Sequence, residues 1–361
     1  MTVLRWVLIA VAGLAAAAFA GSFLFRLQIS EFLFKRAVQA NFTVDRAGDL
    51  GDGLHVFVCG AGTPLPDPKR NGPCMAVIAG PHHFVIDAGS GGARTMIRMG
   101  YPIGEIDAIL LTHLHSDHMD GLGEQLMQAW VNGGRDTPLP VYGPPGVEEL
   151  VAGFNAAYRI DGTYRTAHHG ADIANPNGRG GAPVPIIMPK GPGGQTVIFD
   201  QDGVKVTAFR VNHQPVETAY GYRVDYKNRS VAFSGDTIYD ANLVAASTGT
   251  EILFHEALNR EMVLRMHDAA EAAGRPGLAQ ILSDILTYHA TPEDAARSAT
   301  EAGVRRLVFY HTIPPLPTRA LNALFLKDAK GKYAGPMDVA EDGVIYALPA
   351  DSREIKTTRA F

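Results

Sequence analysis

Four side chains able to hold a metal ion fall within six positions of the segment THLHSDHMDG: His113, His115, Asp117 and His118. They follow DAILLTH, an apolar, β-branched run that predicts a buried strand ending at the first histidine. A strand that ends in a loop can turn His113 and His115 to one side and leave Asp117 and His118 to face a second point nearby. Imidazole nitrogens and carboxylate oxygens are donors that Zn2+, Fe2+ and Mn2+ accept. A chance histidine-rich turn explains one such residue, but it explains three histidines and an aspartate at this spacing poorly.

Three further candidates close predicted strands elsewhere. His213 ends VKVTAFRVNH, Asp236 lies in SVAFSGDT, and His311 ends RLVFYH. At a strand terminus the backbone stops pairing and side chains can converge on one cleft. One tetrahedral zinc needs four ligands, so seven suit two ions that share a carboxylate, with Asp236 as the bridging candidate. Two divalent ions about 4 Å apart can share a water, lower its pKa toward neutrality and neutralise the oxygens of a tetrahedral phosphorus or sulfur centre. The leaving group then needs a proton donor. Asp117 is a candidate both as ligand and as proton acceptor.

The order His-x-His-x-Asp-His, then His, then Ser-Gly-Asp-Thr, then a strand-terminal His resembles the metallo-β-lactamase superfamily, and within it the ribonuclease Z-like branch of phosphodiesterases and arylsulfatases. The resemblance runs from Gly53 to the C-terminus. It includes CGAGTPLPDPKR, FVIDAG, GYR after His213, SGDT, HEA at 255–257 and HATPEDAA at 289–296. It implies an α/β fold, a four-layer αββα sandwich with the metals along one edge. It also implies that His113, His115 and His213 hold one zinc, that Asp117, His118 and His311 hold the other, and that Asp236 bridges them. His289 with Glu256 would lie beside the scissile phosphate as the proton-donating pair. Read from the residues alone, His289 could equally cap the helix begun by TPEDAARSATEAG, where Thr291 and Pro292 are start signals.

Other polar residues divide less cleanly. Asp87, in FVIDAG, either fixes a ligand imidazole through its far nitrogen or caps the following helix. Thr112 and Thr237 flank ligands without a role of their own. His168 and His169 have no accompanying carboxylate and are assigned no metal; His82, His83 and His267 have no supporting neighbours, and His255 reads as a packed histidine. Cys59 and Cys74 flank GAGTPLPDPKRNGP. They form a disulfide if the chain is exported, or remain two small buried thiols.

The chain has 361 residues, 46% of them hydrophobic, enough for one large two-layer core. Lys and Arg number 32 against 37 Asp and Glu, a net charge of −5, and no basic run exceeds two residues. That balance counts against long RNA, tRNA included, and favours a small-molecule or short ester substrate. Residues 160–195, rich in Gly and Pro, read as an insertion in the place of the tRNA-gripping arm of ribonuclease Z proteins, without a clear basic hairpin. Residues 258–287 predict two helices about a Gly-Arg-Pro-Gly break, forming either a wall over the metals or plain packing.

Residues 1–45 predict a membrane anchor or signal segment with a juxtamembrane helix, and residues 46–361 the hydrolase domain. No charge interrupts the 20 residues from Trp6 to Phe25, long enough to cross a bilayer. Ala18-Phe19-Ala20 offers a cleavage site, but the apolar run continues past it, which favours retention. Arg26, Lys35 and Arg36 against Arg5 favour a cytoplasmic domain, whereas the signal-like start favours export. The expectation is a protein anchored in a bacterial cell envelope with a periplasmic catalytic domain; a cytoplasmic-facing domain, or a cleaved and secreted one, stays open. The expected function is a dinuclear zinc hydrolase, with Mn2+ or Fe2+ also suited to the donors, acting on a phosphodiester or related ester such as an aryl sulfate. The rivals are a carbonyl-centre hydrolase (lactamase, lactonase or thioesterase) with the same metals, and a non-catalytic membrane-tethered metal-binding protein.

Overall fold

The computed structural model describes residues 2–42, 46–191 and 193–361. The chain forms two compact units, Met1–Arg46 and Ala47–Phe361. The expected boundary after residue 45 falls at residues 43–45, outside the described residues.

The first unit holds helices α1 (Thr2–Leu24) and α2 (Arg26–Phe42). Within α1, the 22 residues Val3–Leu24 are apolar enough to cross a membrane and bury no side chain in protein. At 1.5 Å per residue they rise about 33 Å, against roughly 30 Å of bilayer hydrocarbon.

The described residues of the second unit form fifteen strands in two sheets. The first five are β1 (Gly53–Gly60), β2 (Cys74–Ala79), β3 (His82–Ile86), β4 (Ala108–Leu110) and β5 (Leu139–Gly143). Then come β6 (Gly181–Pro185), β7 (Gln195–Gln201), β8 (Val204–His213), β9 (Val216–Tyr226) and β10 (Arg229–Phe233). The last are β11 (Ile252–Leu258), β12 (Arg306–Ile313), β13 (Met337–Val339), β14 (Val344–Pro349) and β15 (Lys356–Arg359). One sheet runs β15-β14-β1-β2-β3-β4-β5-β6, the other β13-β12-β11-β10-β9-β8-β7.

The period-2 alternation of the strands builds the layers. In β1, Leu54, Val56 and Val58 point between the sheets, where they meet Val206, Tyr222, Phe233 and Phe254. Phe57 and Cys59 point outward, toward α3 (Gly92–Met99), α4 (Leu122–Gly133) and α5 (Val147–Ala157). The outer face of the second sheet is covered by α7 (Ala241–Ser247), α10 (Pro292–Glu301) and α11 (Asn322–Phe325), α6 being Arg159–His169. Four layers result, helix, sheet, sheet and helix, as expected.

Strand direction decides where the site falls. β8 and β10 are both antiparallel to β9, and β10, β11 and β12 are mutually parallel. Those four strands therefore end on the same edge of the second sheet. β3 and β4 are parallel as well, and end together in the first sheet.

Several local expectations are refined. The strand expected over 107–112 is β4, Ala108–Leu110; backbone bonds to β3 and β5 continue through the Asp107 and Leu111 amides, at 2.8 Å each, and stop at Thr112, whose amide donates to the Asp87 carboxylate at 2.8 Å. Residues 160–195 hold most of α6 and all of β6, and Thr166 Oγ1 of α6 donates to the Ala174 carbonyl of the segment between them at 2.7 Å. The two helices expected over 258–287 are α8 (Arg260–Ala272) and α9 (Pro276–Asp284). Their apolar side packs through Val263, Ala270, Ala279 and Leu282 onto Leu258 and Ile313. Of the two readings of the cysteines, the disulfide holds: Cys59 and Cys74 are bonded across adjacent strands with Cα atoms 5.0 Å apart.

Candidate metal centre

All seven expected ligands converge at this edge. His113 Nε2 lies 2.9 Å from His115 Nδ1, which lies 3.4 Å from His213 Nε2. Asp117 Oδ2 lies 3.2 Å from His311 Nε2 and 3.5 Å from His118 Nε2. Asp236 Oδ2 stands between the two groups, 3.4 Å from His118, 3.5 Å from His311, and 4.0 Å from each of His113 and His213. All are buried except His115, through which the cluster meets solvent.

The outer hydrogen bonds set which nitrogen each ring presents. Thr112 Oγ1 donates to the Asp87 carboxylate, and so can accept from His113 Nδ1 at 3.1 Å. His118 Nδ1 donates to Asp87 Oδ2 at 2.8 Å, and His213 Nδ1 to the Tyr288 carbonyl at 3.0 Å. With Nδ1 carrying the proton in all three, Nε2 is the bare nitrogen that faces the cluster, as ligation requires. Asp87 is thus the residue that orients a ligand imidazole and not a helix cap; α3 starts at Gly91 without a side-chain cap.

The backbone is held to match. Asp87 has φ 58° and His311 φ 45°, conformations uncommon outside glycine, and both sit where side chains are aimed at the cluster. Gly235, before Asp236, has φ 61°, and a Cβ there would lie 2.5 Å from the Tyr220 carbonyl oxygen. Only glycine fits that turn.

Electrostatics make the cluster a cation site. Burial is the largest influence on Asp236 and works upward, yet His311, His118 and His113 together hold it well below the usual carboxylate range. For Asp117, burial likewise works upward and is outweighed by His118 and His311. Burial depresses His113 strongly and brings His213 to about 4. His118 is the exception: burial opposes its charge, but Asp236, Asp117 and Asp87 together carry it well above the ordinary histidine value. Two buried carboxylates held low, beside His113 and His213 rings that burial keeps toward the neutral form, attract positive charge. Asp236 Oδ1, His118 Nε2 and His311 Nδ1 are also buried without a hydrogen-bond partner among the described residues. The donor set therefore fits divalent metal ions.

Beside the cluster, His289 Nδ1 donates to Glu256 Oε1 at 3.1 Å, and the same oxygen accepts from the Thr237 and Ala290 amides at 3.0 and 3.2 Å. His289 Nδ1 is 4.0 Å from Asp236 Oδ2. Burial first, and then the Asp236 charge, push Glu256 well up; burial lowers His289. His289 is not the cap of α10: Thr291 is, in a reciprocal capping box with Asp294.

Sequence reading undervalued three residues. Thr112 links Asp87 to His113, and the Thr237 amide holds Glu256, although both threonines had only seemed to flank ligands. Tyr288 was missed; its carbonyl anchors His213, and its ring lies 5.4 Å from His213 and 4.9 Å from His289. A backbone carbonyl leaves no trace in residue type. His168 and His169 end α6 as exposed residues, outside the cluster. His82 does have carboxylate neighbours, Asp107 at 3.2 Å and Asp202 at 3.0 Å, brought by distant turns into surface pairs of small energetic weight. His255 is the packed histidine expected, its Nδ1 donating to the Glu256 carbonyl at 2.6 Å.

Known proteins share both fold and sequence. Residues 82–312 match the family described as Beta-lactamase superfamily domain. Ribonuclease Z of Mycobacterium avium (strain 104) is 35% identical over 297 residues, spanning 80% of this chain and 96% of that protein. Ribonuclease Z of Mycobacterium sp. (strain KMS) is 37% identical over 264 residues, 73% of this chain and 85% of that one. Among solved structures, a metallo-β-lactamase fold protein from Bacillus subtilis aligns with TM-score 0.57 at 21% identity, over 82% of this chain and 99% of that one. The short form of human tRNase Z aligns with TM-score 0.56 at 20% identity, over the same shares. The chain belongs to the metallo-β-lactamase superfamily, in its ribonuclease Z-like branch, and is a metal-dependent hydrolase.

Proposed function

We propose that this protein is a dinuclear zinc phosphodiesterase, acting on a short phosphodiester or a related ester such as an aryl sulfate. The position of Asp236 Oδ2, within 4.0 Å of histidines from both ligand groups, carries the reading. His113, His115 and His213 would hold one ion and Asp117, His118 and His311 the other, with Asp236 shared. Bound there, two divalent ions would supply charge neutralisation for phosphate oxygens and acidify an attacking water. Asp87, Thr112 and the Tyr288 carbonyl keep the ligand rings in register. Glu256 holds the Nδ1 edge of His289, which leaves Nε2 to carry a proton to the departing oxygen. The donating form is the imidazolium, protonated at both nitrogens; burial makes that form a stronger acid than a free imidazolium, and after giving the Nε2 proton to the departing oxygen the ring is left neutral with Nδ1–H still on Glu256.

An RNA substrate is the second reading, favoured by 35% identity to a protein named ribonuclease Z along 96% of its length. Against it stand the net charge of −5 and the region of the tRNA arm, where Arg165, Arg179 and Lys190 are nearly balanced by Asp161 and Asp172. Val3–Leu24 would anchor the protein in a membrane. The buried Cys59–Cys74 disulfide supports a catalytic domain on the oxidising, periplasmic side. The test is a panel of aryl phosphodiesters, aryl sulfates, lactones, lactams, short oligonucleotides and folded tRNA, each given to zinc-loaded protein. Preference for the small diesters is expected; turnover confined to lactams or lactones would overturn the proposal, and turnover confined to tRNA would select the second reading.

A further inference from the structure

A cavity of 370 Å3 lies between α4, α5 and α6, apart from the ligand cluster. Its volume is that of a small-molecule site. Half-buried Phe154 and Tyr158 give it an aromatic lining over the buried Trp130, whose indole N–H donates to the Asn175 carbonyl at 2.7 Å, and Arg159 and Arg179 give it positive charge. Neither arginine pairs with a carboxylate among the described residues; Arg179 Nη1 donates to the Arg159 carbonyl at 3.2 Å. Asp161, the only carboxylate in the lining, is held by Arg165 at 2.7 Å.

The walls are seated by two close approaches. A Cβ on Gly162 would lie 2.1 Å from Arg179 Cδ, and one on Gly123 would lie 2.2 Å from the Tyr158 ring. The arginine stem and the tyrosine ring therefore rest directly on helix backbone, which limits their freedom before any ligand arrives. A planar aromatic surface beside two unpaired guanidinium groups suits a ring that carries phosphate: the ring stacks, and the forked donors take the phosphate oxygens. Gly123 follows the ligand His118 by five residues, a reach of at most about 18 Å. That upper bound on the backbone separation is within the span of a few nucleotides, so an oligonucleotide held at the cluster is long enough to reach the cavity.

We propose that this cavity is a nucleotide subsite, which binds one base-plus-phosphate unit of the substrate at a distance from the bond that is cut. The proposal rests on the phosphodiesterase reading. The chain has two tryptophans, Trp6 and Trp130, so in full-length Trp6→Phe protein the remaining tryptophan reports on the cavity. With chelator present to keep phosphate off the cluster, AMP should change Trp130 emission saturably. Adenosine and inorganic phosphate should each bind about tenfold more weakly or worse, the scale of a lost charge-assisted contact. The double variant Arg159→Ala, Arg179→Ala should weaken AMP by about tenfold or more, again at that scale. In kinetic assays the same variant should raise KM for a trinucleotide with kcat held, and leave both constants for bis(p-nitrophenyl) phosphate unchanged. The absence of a saturable AMP response, a response the variant leaves intact, or an unchanged trinucleotide KM would overturn the subsite. If the parent cleaves neither substrate, the phosphodiesterase reading fails on its own account, and the metal-free AMP titration still decides whether the cavity takes a nucleotide.

Discussion

Asp87→Asn should strip the centre of metal affinity while barely changing its shape. The Asp87 carboxylate accepts from the Thr112 amide at 2.8 Å, from Thr112 Oγ1 at 3.0 Å, and from His118 Nδ1 at 2.8 Å. Its φ of 58° is as accessible to asparagine as to aspartate, so the exchange isolates the hydrogen bonds. An amide has one acceptor oxygen, and two outcomes follow. If that oxygen keeps the Thr112 amide, the NH2 group faces His118 Nδ1, forces it to accept, and moves the ring proton to Nε2, where it blocks ligation. If the oxygen keeps His118, a buried Thr112 N–H is left opposite another donor, at about 1–3 kcal/mol of stability. The first case forfeits a charge-assisted bond of about 1.5–3 kcal/mol, which at tenfold per 1.4 kcal/mol is about 10- to 150-fold in zinc affinity. Competition against a chromogenic chelator measures the affinity, and thermal unfolding of the metal-free protein measures the stability. A variant with unchanged zinc affinity and unchanged Tm would refute the role given to Asp87.

His289→Ala should retain metal but slow substrates with poor leaving groups by about 10²-fold or more, and nitrophenolate esters much less; kcat/KM across leaving groups of graded pKa, with metal content, checks this. An equal loss on every leaving group would remove His289 as the proton donor. Deleting residues 1–45 should move the protein from the membrane fraction to the soluble one with its metals kept, since every ligand lies beyond residue 110; equal partitioning of both forms would contradict the anchor. Asp342, which accepts from the Ala61 and Asn71 amides, is raised by burial to about 7 from 3.8. The native state therefore holds a proton that the unfolded chain releases, and this contribution, full below 3.8, is lost as pH rises toward 7. The Tm advantage of the parent over Asp342→Asn should shrink across that window; a constant or growing difference would show the sign to be wrong.

The ligands were legible because each sits where an apolar run stops, and a run of alternating or β-branched residues is what the pattern of buried strands looks like. The layered fold was legible for the same reason: Leu54, Val56 and Val58 alternate with Phe57 and Cys59 because the two faces of β1 meet different layers. The disulfide could not be decided in advance, since it depends on the register that sets Gly60 opposite Cys74, and register is a property of the pair of strands. The competing roles of Asp87 and His289 were equally open. A carboxylate near a helix start and a histidine before one have two uses each, and only the seating of α3 on Gly91 and of α10 on Thr291 frees them for the centre. Within residues 160–195 the Gly and Pro content gives no periodic signal for α6, which borders a cavity formed with α4 and α5.

Metal stoichiometry tests the central claim most directly. Native mass spectrometry of the full chain, purified without chelator and then saturated with zinc, should show two zinc ions per chain, and Asp236→Ala should lose occupancy at both positions because one carboxylate serves the pair. One zinc or none at saturation in the parent protein, or two retained in Asp236→Ala, would contradict the account.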